Sequence, residues 1–327
     1  MNGGMFGGNN NNTGAVVVME NGIQFSDLSI QNTAYVVSNS AIRNRIINGA
    51  MKIDQRNAGV AQAIVAAAAL AYTVDRYYSF CTGANITGQR ITLANAQNRY
   101  RLTGLAAVTG VGFGQRIESF NCMDLAGINA SLQVKLSSSS LTAITWTAYY
   151  ATAADTFGTL AAPTRTQIAT GQFTINTVEA TYSAQMAIPA AATTGIEIVF
   201  TGGALLGAQT LTIGDVQFEA GNISTPFENN NIEVITAKCQ RYFFRTLDSY
   251  IISGNSDLAG RQLVSNYSFP VTLRAVPAGL TGGFSVFTNC TQNSFSATVS
   301  STVAILASVA AGGFSATLTW GAFSAEL

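Results

Sequence analysis

The sequence contains no histidine among its 327 residues. Histidine is the commonest general base and a frequent metal ligand, so its absence excludes a Ser-His-Asp triad and a histidine-based zinc site. An enzyme built on paired carboxylates passes this filter. Asp155, Glu179 and Glu197 are available for such a pair, but no motif places them together, so we expect no enzyme activity and no catalytic residues.

Charged residues are also scarce, at 10% of the chain, whereas an ordinary soluble domain has about 25%. The formal net charge is zero and there is no basic run, which argues against a nucleic-acid partner. Uncharged polar and small residues must therefore form most of the surface, which suits subunit packing or contact with sugars. A monomer with so few charges would expose apolar patches, so we expect a closed homo-oligomer.

Cysteines are few and widely spaced: Cys81, Cys122, Cys239 and Cys290 form no CxxC pair. They predict buried free thiols in a protein assembled in a reducing cytoplasm, and no cofactor or metal is expected. The first residues lack the basic and apolar regions of a signal peptide. The longest apolar run, residues 58–72, is shorter than the roughly 20 residues of a membrane span. It predicts an apolar loop or short helix packed on a neighbour, and no membrane insertion.

The pattern along the chain predicts an all-β protein in four parts. Residues 1–43 begin with a Gly- and Asn-rich stretch and continue with two short extended stretches, which are too short to be stable alone. Residues 44–228 contain short alternating runs at the spacing of a jelly-roll β-sandwich. Residues 229–246 have helical spacing with Asn at the start, which predicts a short helical linker. Residues 247–327 return to β spacing and predict a smaller C-terminal β-sandwich.

One strand illustrates the pattern. In "SLQVKLS", Leu132, Val134 and Leu136 alternate with Gln133 and Lys135. Successive side chains of a strand point to opposite faces, so the three apolar residues share one face. This alternation predicts a strand with one face buried.

Residues 22–34, "GIQFSDLSIQNTA", resemble a short motif that recurs in bacteriophage tail fibres and spikes, ahead of the receptor-binding part. That motif has the pattern Gly-Ile-x-Phe-x-Asp-Gly-Thr-x-Gln-x-Thr-Ala. A break in the alternation at Ser26 and Asp27 predicts a turn there, and next to it Leu28 and Ser29 depart from the Gly-Thr pair of the motif. The matching residues are Gly22, Ile23, Phe25, Asp27, Gln31, Thr33 and Ala34.

Five further motifs follow in a fixed order: "NRIINGAMKIDQRNAG" (44–59), "YTVDRYY" (72–78), "GQRIE" (114–118), "IGDVQFEAGNISTPFE" (213–228) and "CQRYFF" (239–244). Their order is similar to that in a large group of phage virion proteins, described as tail fibre, spike or capsid-decorating proteins. The individual motifs are short, and the specificity lies in their joint order.

The resemblance implies a jelly roll of the carbohydrate-binding-module type in a homotrimeric virion protein assembled in the host cytoplasm. Its first expectation is a tail fibre or spike that attaches to a host-surface glycan, with residues 1–43 as a collar that contacts a tail adaptor or nozzle. Residues 247–327 would then form the distal tip. The alternative is a head fibre or decoration (cement) protein whose N-terminal segment contacts the capsid. A glycan-degrading spike is a third possibility.

Two sets of candidate residues follow. Aromatic side chains stack on sugars, although aromatic residues in strands usually fill the core; the glycan-binding candidates are Trp146, Tyr149, Tyr150, Tyr250, Trp320 and Phe323. The motif residues are predicted to be structural, with Asp and Arg paired to each other and to strand ends, Pro226 setting a turn and Phe227 filling the sandwich. This structural set is Asn48, Gln55, Arg56, Asp75, Arg76, Arg116, Glu118, Gln217, Glu219, Pro226, Phe227, Arg241 and Tyr242.

Overall fold

The structure is a computed structural model that describes residues 17–19, 22–24, 30–31, 43–67, 69–246, 250–277 and 280–327. The chain divides into two compact units, residues 1–41 and residues 42–327. Strands account for 49% of the structure, and a single helix longer than one turn is present in the described part. The predicted all-β class is therefore confirmed.

The first unit contains a three-stranded antiparallel sheet in the order β1 (Val17–Met19), β2 (Gly22–Gln24) and β3 (Ile30–Gln31). The motif residues Phe25, Asp27, Thr33 and Ala34, together with the expected turn at Ser26 and Asp27, lie outside the described residues. The extended stretches predicted in this segment are thus strands of one small sheet.

The second unit begins with a sandwich of two six-stranded sheets, which is the predicted jelly roll. The first sheet has the order β13 (Ala180–Ala187), β10 (Asn129–Ser138), β15 (Thr210–Ala220), β8 (Asn98–Thr103), β7 (Ile86–Thr92) and β4 (Gln62–Ile64). The second has the order β12 (Arg165–Thr174), β11 (Ala143–Ala151), β14 (Ile196–Gly202), β9 (Gly110–Ile117), β6 (Tyr78–Thr82) and β5 (Ala71–Tyr72).

One hydrophobic core takes side chains from both sheets, which explains the alternation in the sequence. Leu132, Val134 and Leu136 of β10 are all fully buried in it, as predicted, and Phe113 of β9 stacks on Phe200 of β14 with ring centroids 4.7 Å apart. The apolar run 58–72 is not a helix, because its residues add the short edge strands β4 and β5 to the two sheets. Loops and two short 3-10 helices, Ser119–Asn121 and Met123–Leu125, connect the strands.

Helix α1 (Ile232–Gln240) follows the sandwich within the predicted helical linker. The side chain of Asn231 accepts a hydrogen bond from the Glu233 backbone N–H, so it caps the helix as the sequence predicts. Ile235 and Cys239 are its buried side chains. All four cysteines are free and buried, in agreement with the prediction. No helix in the described part of the chain is long and apolar enough to cross a membrane.

The C-terminal part forms the predicted smaller sandwich. In its first sheet β22 (Gly312–Ser324) pairs with β16 (Phe243–Arg245), β17 (Tyr250–Ser256) and β19 (Leu280–Thr288). Its second sheet has the order β18 (Gln262–Ser268), β21 (Ser301–Ser308) and β20 (Cys290–Ala297). A small core joins the two sheets, with Ile252 and Phe314 from the first and Leu306 from the second.

Candidate functional site

Several residues of the structural set contact the last residues of the chain, and we call this contact between the two sandwiches the joint. Glu326 lies at its centre. Arg56 donates to Glu326 Oε1 over 2.9 Å, and Arg76 donates to Glu326 Oε2. The Arg76 side chain is completely buried and that of Glu326 nearly so. The sequence predicts that Asp and Arg residues of the motifs pair with each other, but in the described residues neither Arg56 nor Arg76 forms an ion pair with Asp75. The partner is instead a carboxylate 250 and 270 positions away in the chain.

Aromatic rings and backbone oxygens complete the joint. The Arg76 guanidinium lies 3.5 Å from the ring centroid of Tyr242. Arg116 donates to the Leu327 backbone oxygen over 2.8 Å and to Glu197 over the same distance. Arg116 and Glu118 belong to one motif, yet they do not pair with each other. These contacts hold the last residues of the chain against the first sandwich.

Asp75 is buried at the edge of this joint, where Gln55 binds it. The Gln55 backbone N–H donates to Asp75 Oδ1 over 2.9 Å, and its side-chain amide donates to Oδ2 and to the Phe243 backbone oxygen. Burial raises the pKa of Asp75 from 3.8 to about 6, although the hydrogen bonds from Gln55 oppose the shift. The Gln55 side chain therefore connects the Asp75 carboxyl group to the backbone of β16.

We expect Asp75 to make the stability of the protein depend on pH. Between 3.8 and about 6 the folded state binds more protons than the unfolded state, so the stability falls as pH rises through this window. For this group alone the free energy of unfolding should be on the order of 2–3 kcal/mol higher at about pH 4 than at about pH 7. Urea unfolding of the protein and of Asp75→Asn at both pH values measures it. An equal pH dependence in the two proteins would contradict the assignment.

The remaining motif residues stabilise loops. Asn48 is buried and binds the backbone N–H and oxygen of Ile53 through its side chain. Gln217 donates to Glu219 over 2.8 Å, and Glu219 accepts from the Thr225 N–H over 2.7 Å, which fixes the loop after β15. In that loop Pro226 is exposed at a bend. Phe227 is only half-buried, because it lines a surface cavity of about 220 Å³, so the prediction that it fills the sandwich is wrong.

A cleft of about 420 Å³ opens beside this joint, between α1 and the loops at one end of the first sandwich. It is lined by Asn44, Arg45, Ile47, Glu118, Phe120, Asn121, Lys238, Arg241 and Tyr242. Its size falls in the range of about 300–1,000 Å³ that is usual for ligand pockets. Three motif residues of the structural set, Glu118, Arg241 and Tyr242, thus also face this cleft.

The carboxylate of Glu118 is fixed in the cleft as a hydrogen-bond acceptor. Arg241 Nη2 donates to its two oxygens over 3.0 and 3.2 Å, and the Tyr242 hydroxyl donates over 3.0 Å. Burial raises the pKa of Tyr242 to about 12, so its hydroxyl keeps its proton at neutral pH. The Asn121 amide lies within 3.4 Å of that hydroxyl. A polar group of a ligand entering here would meet preorganised donors and acceptors.

Phe120 supplies an apolar surface at the same place. It lies in the short 3-10 helix Ser119–Asn121, two positions after Glu118, and 79% of the residue surface is exposed. An exposed aromatic ring beside fixed polar groups is the combination found in small-molecule sites, where the ring packs on the ligand and the polar groups orient it. We therefore take this cleft as the candidate functional site.

The aromatic residues predicted to bind glycans occupy other places. Trp146 is only 6% exposed and packs on Phe173 in the sandwich core, and Phe323 is 1% exposed in a cluster with Phe244 and Phe269. Neither ring can stack on a sugar, so these two predictions are wrong, and core packing is the reason. Tyr149 and Tyr150 are half-buried. The side chains of Tyr250 and Trp320 lie outside the described residues.

Tyr149 remains partly available, but its ring already has a partner. The guanidinium of Arg165 lies 4.2 Å from the ring centroid of Tyr149 and also donates to Glu197. Tyr150 packs against the sandwich core. Neither residue lines the cleft.

Sequence reasoning missed Phe120, Arg45 and Lys238. One signal for Phe120 was present: it follows the strand pattern of "GFGQRIE" and lies between the polar residues Ser119 and Asn121. An aromatic residue outside a strand has no sheet face to fill, so it is a better candidate for an exposed ring than one inside a strand. Arg45 and Lys238 had no comparable signal, because their positions in the cleft depend on how α1 packs on the sandwich.

The three acidic residues considered for glycan cleavage are each engaged in separate structural contacts. Asp155 accepts from the Ser119 N–H over 2.7 Å, Glu179 binds Arg99, and Glu197 is buried between Arg116 and Arg165. The Arg99 guanidinium holds the pKa of Glu179 below its usual value. In the described residues no group of three or more His, Cys, Asp and Glu side chains is placed to hold a metal ion.

No protein-family model matches the sequence, and no curated protein is similar to it at a significant level. Several solved structures are similar in part. The enzymatically active domain of bacteriophage CBA120 tailspike protein 4 is 12% identical, with a TM-score of 0.35, and the match covers 54% of this chain and 21% of that chain.

Two carbohydrate-binding modules are also similar. A family 4 module is 12% identical, with a TM-score of 0.33, over 53% of this chain and 98% of the module. The xylan-binding domain CBM22-2 from Paenibacillus barcinonensis is 11% identical, with a TM-score of 0.30, over 44% of this chain and 91% of that domain. The structural neighbours of this chain thus include carbohydrate-binding modules and a phage tailspike domain.

Proposed function

We propose that this chain is a phage virion structural protein, a homotrimeric tail fibre or spike that binds a host-surface glycan in the cleft beside α1. The observation that carries the proposal is the 79% exposed ring of Phe120 beside the fixed carboxylate of Glu118. Sugar rings present C–H faces and hydroxyl groups. The first pack on an aromatic face, and the second exchange hydrogen bonds with carboxylates, amides and guanidinium groups.

The cleft is a binding site and has no catalytic role in this proposal. Glu118 already accepts hydrogen bonds from Arg241 and Tyr242, so its carboxylate has a structural role in the cleft. Glycoside hydrolysis needs a second carboxylate about 5–9.5 Å away, and Glu118 is the single acidic residue among the lining residues of the cleft. Attachment without cleavage is the function that fits this lining.

The virion part of the proposal is supported by the ordered motifs between residues 22 and 244. The separate compactness of residues 1–41 is consistent with an anchoring segment that docks on another virion protein. The low charge of the chain favours assembly into a closed oligomer, and the resemblance favours three copies. A head fibre or decoration protein would use the same parts with a different anchor point.

Substitution of Phe120 by alanine should weaken glycan binding about tenfold or more, because truncation of an aromatic anchor at the centre of a site typically costs this much. The measurement is binding of the full-length protein to an array of purified bacterial capsular, O-antigen and teichoic polysaccharides. Phe120 is largely exposed, so the variant should unfold at the same urea concentration as the original protein.

Val178→Ala is the matched control, since Val178 is a 69% exposed apolar residue of the first sandwich that does not line the cleft. It should bind as the original protein does. If no polysaccharide binds, or if both variants bind equally well, the glycan proposal fails. Electron microscopy of phage particles labelled on this chain then shows whether it stands on the tail or on the head.

A further inference from the structure

The cleft contains more positive than negative side chains, in a chain with few charges of either sign. Arg45, Lys238 and Arg241 line it, against the single carboxylate of Glu118. Arg241 forms an ion pair with Glu118. The other two cations lie on different parts of the chain: Arg45 is in the segment before β4, and Lys238 is in the last turn of α1.

Among the cations that line the cleft, Lys238 is the one for which the described residues provide no salt-bridge partner. It is half-buried, and no carboxylate of the described residues lies within salt-bridge distance of its ammonium group. Glu228 acts on it from farther away, and its carboxylate accepts from the Asn44 N–H over 2.7 Å. Burial lowers the pKa of Lys238, which means that the charged form is destabilised where it stands. An anionic group in the cleft would remove this cost.

Arg45 also has an unused donor. Its Nη2 binds Asp124 over 2.6 Å and its Nη1 approaches the Asn121 backbone oxygen at 3.4 Å. Its Nε is buried and has no hydrogen-bond partner. A ligand cannot reach this buried atom, so Arg45 would act on an anion in the cleft through the positive charge of its guanidinium group.

We propose that the cleft selects acidic glycans, with the anionic group of the sugar beside Lys238 and Arg45 and a sugar ring on Phe120. This inference rests on the proposed glycan-binding function and adds the chemical class of the ligand. The anion is either the carboxylate of a uronic or related sugar acid or a phosphate that links or decorates the repeat unit. Both present the charged oxygens that ammonium and guanidinium donors bind most strongly.

The test compares acidic and neutral repeats on the same polysaccharide array. We expect binding to glycans with sugar acids or phosphate, and about tenfold weaker binding or none to neutral ones. Each acidic glycan that binds is then carboxyl-reduced or dephosphorylated, which removes one kind of anion at a time and identifies its source. The treatment that removes the responsible anion should abolish the preference.

Lys238→Gln tests the charge, because Gln is a polar side chain of similar helix propensity that carries no charge. It should weaken acidic-glycan binding about tenfold and leave any neutral-glycan binding within about twofold. Arg261→Gln is the matched charge control, because the Arg261 side chain is 62% exposed in the C-terminal sandwich and pairs with Asp257. It should change neither.

The outcomes distinguish this inference from the function on which it rests. Equal binding of acidic and neutral glycans, or an equal loss of both in Lys238→Gln, overturns the acidic selectivity and leaves glycan attachment standing. Binding to no polysaccharide overturns both. Retained binding after both the carboxyl reduction and the dephosphorylation also overturns the selectivity.

Discussion

Replacement of Glu326 by glutamine should lower the free energy of unfolding by about 3–5 kcal/mol, the usual cost of removing one partner from a buried ion pair. Glu326 is the counter-ion of Arg56 and of the fully buried Arg76. Glutamine has nearly the same shape but no charge, so the buried guanidinium of Arg76 would lose its only carboxylate partner within the described residues. Urea unfolding at fixed protein concentration measures the effect.

The matched control is Asp257→Asn, which also neutralises one carboxylate of an ion pair. Asp257 and Arg261 are 71% and 62% exposed, and such surface pairs contribute about 0–1 kcal/mol. A loss in Glu326→Gln no larger than in this control would contradict the joint between the sandwiches. The Ala325 backbone N–H donates to the Tyr242 backbone oxygen over 2.7 Å. Hydrogen exchange at this amide should become faster together with the loss of stability.

The sheets were predictable because their signal is local. Leu132, Val134 and Leu136 alternate with polar residues, and burial of one face of β10 follows from strand geometry alone. The cap of α1 at Asn231 is local in the same way. Such features need no knowledge of distant parts of the chain, and the structure confirms them.

The sequence indicates which residues have a structural role at the joint, but it does not indicate which residues they pair with. The motif residues stood out as polar groups in a chain with few charges, and a structural role could be assigned to them from the sequence. Their partners could not be assigned, since Glu326 lies 270 positions after Arg56 and 250 positions after Arg76 in the sequence. Asp75, which precedes Arg76 directly in the sequence, accepts hydrogen bonds from Gln55 instead.

The candidate site was the least predictable part, for a geometrical reason. An aromatic residue in a strand points to one of two faces, and the sequence does not say which face is covered by the second sheet. In the structure Trp146 is on the face that the other sheet covers, and Phe323 is buried in the small cluster of the C-terminal sandwich. The cleft depends on how α1 rests on the loops of the sandwich, and no local pattern describes such a contact.

Substitution of Gly49 by alanine should destabilise the protein by on the order of 3 kcal/mol or more, because the added methyl group has no room. A Cβ atom at this position would lie 2.1 Å from the Val216 backbone oxygen, and backbone cannot move aside as a flexible side chain does. That oxygen also accepts from the Asn44 side chain, and the Val216 N–H donates to the Gly49 oxygen. The change would therefore push the segment of residues 44–59 away from β15.

Gly313→Ala is the control, because a Cβ atom there meets no heavy atom within 4 Å and the residue has no positive φ. It should shift the free energy of unfolding by no more than about 0.5 kcal/mol. The measurement is the urea midpoint of unfolding of each variant. Both variants add one methyl group, Gly49→Ala where backbone lies close and Gly313→Ala where there is open space. Equal midpoints would mean that the segment around Gly49 does not pack against β15. The close approach to Val216 would then not explain the glycine at this position.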